Sequence, residues 1–135
     1  MNELDLLNLV RGATANEVGW FAQVITINFA MVVAIYYFLN EAKLALRIFG
    51  FVAYMIGMLI FWGEMLIEAN VKTAAFAALK ALPHLSLPAG QLIGTSEGWL
   101  GKATSVVFNG AFWVLWSGIF YLLFFWRKSA HVSQR

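Results

Sequence analysis

Three polar side chains, Gln23, Glu64 and Asn109, stand in or at the end of mainly apolar runs. Glu64 lies in the stretch "FWGEMLIEAN", residues 61–70. A carboxylate at membrane depth is costly, and it marks an ion or proton path, a headgroup site or a hydrogen-bonded contact between helices. At 1.5 Å per residue, Glu64 lies roughly 9 Å inward from Asn70 and Gln23 roughly 9 Å inward from Glu17. Asn109 lies roughly 10 Å inward from Lys102 by the same rise. The three are measured from one side, one per run, and are expected to meet in a polar layer. That layer has two readings: a latch that holds helices together, or part of an ion path.

The packing residues around Glu64 follow helical spacing. Gly50, Ala53, Gly57 and Glu64 share a face, because positions 3, 4 or 7 apart do so. Ala53 and Gly57 form a small-xxx-small pair, the pattern that lets membrane helices approach closely. Gln23 shares a face with a second small-residue stripe, Ala30 and Ala34. Asn28 lies opposite Ala30 near the middle of the first run and is expected to contact another helix, from another subunit in one reading. Glu68 is expected to pair with Lys72 at i+4, in the favourable acid-before-base order. Trp113 with Trp116 reads as lipid-facing or core.

The elements that position these residues are legible in the charge pattern. No Asp, Glu, Lys or Arg occurs from 18 to 40, from 48 to 63 or from 103 to 126. Charged residues make up 12% of the chain, about half the roughly 25% of a soluble domain. A spanning helix needs roughly 20 mainly apolar residues. The expected fold is therefore an all-α integral membrane protein in one transmembrane domain, with spans at about 18–40, 46–68 and 103–126.

Before the first span, Leu4 to Val10 reads as a short amphipathic segment ended by Gly12. "TANE", residues 14–17, fits a capping box that would start the first helix near Ala15. "VKTAAFAALKAL" after Asn70 reads as an interfacial continuation of the second helix. Both prolines fall in "PHLSLPAGQLIGTSEG", residues 83–98, which is expected to be an irregular loop. "MNELDLL" is acidic where a cleavable signal peptide would be basic, so all three spans are expected in the mature chain.

Lys43 and Arg47, with Arg127, Lys128 and Arg135, fall on one side of three spans. By the positive-inside rule that side is the cytoplasm, with the N-terminus outside. A bacterial inner membrane is the expected location.

Several chemistries are excluded by composition. There is no cysteine, hence no disulfide or thiolate metal site. The two histidines, His84 and His131, lie outside the apolar runs, which argues against bis-histidine haem and against a Ser-His-Asp site. No metal-ligand spacing or phosphate loop occurs. A net charge of +2 gives no footprint for nucleic acid. No cofactor is expected, and no enzyme. The expected function is that of a small membrane subunit that works by helix packing, in a homo-oligomer or with other membrane subunits, surrounded by membrane lipids. The alternatives are an oligomeric ion or proton channel using Glu64, and a lipid- or pigment-binding subunit.

Overall fold

The computed structural model describes residues 1–127. Among them the chain is helical with no strand. Helix α1 runs Glu3–Ala34 and continues through a wider π turn, Ile35–Leu39; α2 is Leu44–Lys80, α3 Leu87–Glu97 and α4 Trp99–Phe124. Three of them are long and apolar enough to cross a membrane: Glu3–Leu39 and Leu44–Lys80, each of 37 residues, and Trp99–Phe124, of 26. Lys128 and Arg135, two charges behind the orientation reading, and His131 lie outside the described residues.

The long pair, α1 with its π turn and α2, forms an antiparallel hairpin. At 1.5 Å per residue each arm is about 55 Å long, well beyond the roughly 30 Å of a hydrocarbon core. Leu6, Val10, Ala13, Val24, Asn28 and Ile35 are the buried residues along this arm. Their separations are 3, 4, 7 or 11 residues, the repeat of a stripe that stays on one face of a helix. Tyr54, Met58, Ala75 and Leu79 are the matching stripe of α2.

Two apolar clusters result. One joins Val24, Ile35, Tyr54, Met58, Phe112, Ile119 and Leu123 within the charge-free runs. The other, Leu6, Val10, Ala75, Leu79 and Ile93, lies at the distal end, where α3 packs beside the hairpin.

Two helix starts differ from expectation. The "TANE" segment does not begin α1. Thr14 donates its hydroxyl to Val10 O at 2.8 Å, a bond of a helix interior. The cap is Asn2, which accepts from the Asp5 amide at 2.8 Å while Asp5 accepts from the Asn2 amide at 3.3 Å. With this reciprocal box the helix starts twelve residues earlier and runs through Gly12, so no separate amphipathic segment exists. The region expected as a loop at 83–98 is mostly α3. Ser86 caps it, and Pro88 occupies the first turn, where a missing amide costs nothing.

The corner between α3 and α4 depends on a glycine. A Cβ on Gly101 would lie 2.0 Å from Ser96 O and 2.7 Å from its carbonyl carbon. Any side chain there collides with backbone.

Candidate functional site

Polar residues along the hairpin are tied across it. Tyr54 donates to Asn28 Oδ1 at 2.7 Å, and Asn28 Nδ2 donates to Val24 O at 2.7 Å and lies 3.4 Å from Met58 Sδ. Asn28 is 3% exposed, so its partner is α2 of the same chain, not a helix of another subunit. Further out, Lys72 pairs with Glu17 of α1. Glu68, expected to hold Lys72, instead accepts from Asn16 Nδ2 at 3.0 Å. Both contacts cross between helices, and the hairpin register decides them over the i+4 alternative.

At the distal end Lys80 pairs with Glu97 of α3. Glu3 accepts from the hydroxyl of Ser86 and from its backbone amide, the latter at 3.0 Å. These bonds favour the charged carboxylate, chiefly that from the hydroxyl, and hold Glu3 below its ordinary pKa of 4.5.

Gln23, Glu64 and Asn109 behave differently, and the expected layer does not close within the chain. Gln23 is exposed and Glu64 half-buried, and among the described residues neither side chain has a hydrogen-bonding or ionic partner. Asn109 is exposed and donates only to Ser105 O of its own helix, at 3.1 Å. Helical rise sets how deep a residue lies. Packing sets which way it points, and here the hairpin seam takes Asn28, Tyr54 and Met58 instead.

The small-residue stripes also divide. A Cβ on Gly57 would sit 2.7 Å from Ile27 Cδ1, and one on Gly50 3.4 Å from Leu39 Cδ1. Both glycines therefore serve the contact between α1 and α2 in one chain. Ala53, read with them as a packing residue, is exposed, as is Ala30, while Ala34 is half-buried.

Arg47 does something composition could not suggest. Counted as a flanking charge, it turns inward and donates from Nη2 to Leu123 O at 2.5 Å. Carbonyls in a last helical turn lack intrahelical partners, so the contact ties the start of α2 to the end of α4.

Against α2, α4 packs through that end. Its buried residues, Phe112, Ile119 and Leu123, all lie in its C-terminal half. Phe51 meets Phe120 and Phe124 edge to face, with ring centroids 5.5 and 5.6 Å apart. Along its N-terminal half α4 stands off from α2, and a groove of about 590 Å³ opens between them under α3. The Lys72–Glu17 pair, Thr104, Ser105 and Asn109 line it, with Trp62 and Phe112 stacked at 5.7 Å toward its apolar end. Among the described residues no group of His, Asp and Glu could hold a metal ion.

Fold and site together define an all-helical protein with three helices long and apolar enough for a membrane, and an amphipathic groove where two of them part. No family model, curated protein or solved structure matches the chain.

Proposed function

We propose that the protein is a non-enzymatic integral membrane subunit that docks onto further membrane helices, either copies of itself or other proteins. The observation that carries this reading is the contrast between satisfied and unsatisfied polar groups. Asn28, Tyr54, Glu17 and Lys72 all find partners inside the chain. Gln23 presents its amide on an exposed face of α1 with no partner among the described residues. In hydrocarbon an amide without a partner costs free energy, and a hydrogen bond across helices removes that cost. Ala30, about two turns along the same face from Gln23 and exposed, allows a neighbouring helix to approach closely. The proposed setting is a bacterial inner membrane with the N-terminus outside.

The test is Gln23→Leu, a change on an exposed face that leaves the hairpin seam intact. The native mass of the gently extracted protein is expected to fall from that of an assembly toward a single chain. An unchanged mass overturns the reading.

A second reading rests on Glu64, half-buried and without a partner among the described residues. Several copies that place Glu64 around a shared axis would form a carboxylate ring, which selects cations. Ion flux in liposomes that Glu64→Gln abolishes would support this reading over the first.

A further inference from the structure

The groove between α2, α3 and α4 is sorted along the helix axes. Lys72 and Thr73 line its outer level on α2, and Trp62 lies ten residues deeper, about 15 Å by helical rise. On α4, Thr104 and Ser105 face the same outer level, with Phe112 about 10 Å deeper. Polar residues thus stand where the headgroups of a bilayer would be, and aromatic ones where its acyl chains begin.

We propose that this groove binds one phospholipid whose headgroup is zwitterionic and carries a primary ammonium. The charges select the class. Lys72 and Glu17 stand side by side with 28% and 23% of their side chains exposed, so the outer level offers one cation and one anion together. An anionic head would meet the Glu17 carboxylate, whereas a phosphate with a tethered ammonium meets both charges with the correct signs.

The hydrogen-bonding wall selects the ammonium. Thr104 spends its hydroxyl proton on Leu100 O at 2.9 Å, and Thr95 spends its own on Gln91 O at 2.9 Å. Asn109 turns its amide N–H to Ser105 O, which leaves Oδ1 free to accept. Two hydroxyl oxygens with open lone pairs and a carboxylate therefore stand at the outer level, with Asn109 Oδ1 about 7 Å deeper by helical rise, and a primary ammonium supplies three donors for such acceptors. A quaternary ammonium supplies none. The groove volume of about 590 Å³ lies within the range of about 300–1,000 Å³ for small-molecule sites. It accommodates the head and the start of the chains, and the chains continue along the exposed face of α4.

The experiment is native mass spectrometry of the full chain in detergent. The added lipids are phosphatidylethanolamine, phosphatidylcholine and phosphatidylglycerol in equal amounts. One phosphatidylethanolamine is expected to be retained about tenfold over each of the others, the factor that a hydrogen bond to a charged group supplies. Glu17→Gln is expected to remove the preference over phosphatidylglycerol. Because that variant also loosens the hairpin, a second one, Thr104→Val with Asn109→Leu, changes only exposed groove residues. It is expected to lower phosphatidylethanolamine retention about tenfold with helical circular dichroism unchanged. Equal retention of the three lipids, or undiminished retention by the Thr104/Asn109 variant, overturns the proposal. So does a companion protein that shields Ser105→Cys from thiol labelling when no lipid is retained.

Discussion

Tyr54 donates its phenolic proton to Asn28 Oδ1 at 2.7 Å, and this bond crosses the α1–α2 seam at the centre of the apolar cluster. Asn28 uses its other polar group on Val24 O, so both ends of a buried amide are satisfied. Removing one partner leaves the other stranded, whereas replacing both with apolar groups removes the need for either. Tyr54→Phe is therefore expected to cost about 1 kcal/mol, within the range for hydrogen bonds between membrane helices. Tyr54→Phe combined with Asn28→Leu is expected to cost less than the two single changes added together. A double-mutant cycle on reversible unfolding in mixed micelles measures this, and strict additivity would contradict the coupling.

Gly57 sets the closeness of the same seam. Its missing Cβ lies where Ile27 Cδ1 would be 2.7 Å away, so a larger residue must push Ile27 aside. Gly57→Leu is expected to destabilise the hairpin by about 1–3 kcal/mol, the usual cost of overpacking. Trimming the opposing side chain in Gly57→Leu with Ile27→Ala is expected to recover part of that loss. The comparison is one of thermal midpoints in a single detergent, and no recovery in the double variant would place the defect elsewhere.

How far the sequence reveals this arrangement depends on what each signal encodes. The three apolar runs are legible because charge is absent from them, and long helices cover all three. That Asn28 touches another helix was also legible, since a polar group near mid-run needs one. Which helix it touches was not. Spacing places Gly57 and Glu64 on one face of α2, but only the register of the hairpin decides what that face meets. Helix α3 was hidden because two prolines and several glycines read as breakers. In fact one proline sits in a first turn, behind a Ser86 cap. The Gly101 contact joins two helices through a corner, and no periodicity announces it.

Gly101 carries the third prediction. A Cβ there meets the carbonyl of Ser96 at 2.0 Å, and neither atom belongs to a flexible side chain. Gly101→Ala must therefore open the corner and move α3 away from α2. Limited proteolysis is expected to cut the variant between residues 83 and 101 under conditions that spare the wild type. Equal resistance of the two proteins would mean that the corner relaxes in another way.

The fourth prediction concerns acid. The Ser86 hydroxyl and amide hold the Glu3 carboxylate below its ordinary pKa of 4.5. The folded value is lower than the unfolded one, so the contact stabilises the fold above pH 4.5 and is lost as pH falls through the lowered folded value. The Ser86 amide signal in an NMR titration is expected to move with a midpoint below 4.5, and Glu3→Gln is expected to abolish that movement. A midpoint at or above the ordinary value would show that the contact does not favour the charged form.

The last prediction separates the two functional readings at Glu64. Its side chain is half-buried and has no partner among the described residues, which suits a docking contact as well as a titrating ring. Glutamine keeps the size and the hydrogen-bonding capacity of the site but cannot ionise, so it preserves docking and destroys a carboxylate ring. For a docking subunit, Glu64→Gln is expected to leave the native mass unchanged, and liposomes holding either protein are expected to leak protons equally. For a channel, the mass would again be unchanged but the variant would lose its flux. Because the two readings agree on mass and differ on flux, a pH-sensitive dye trapped in liposomes decides between them. A flux present in the wild type and absent in Glu64→Gln would replace the subunit reading with the channel.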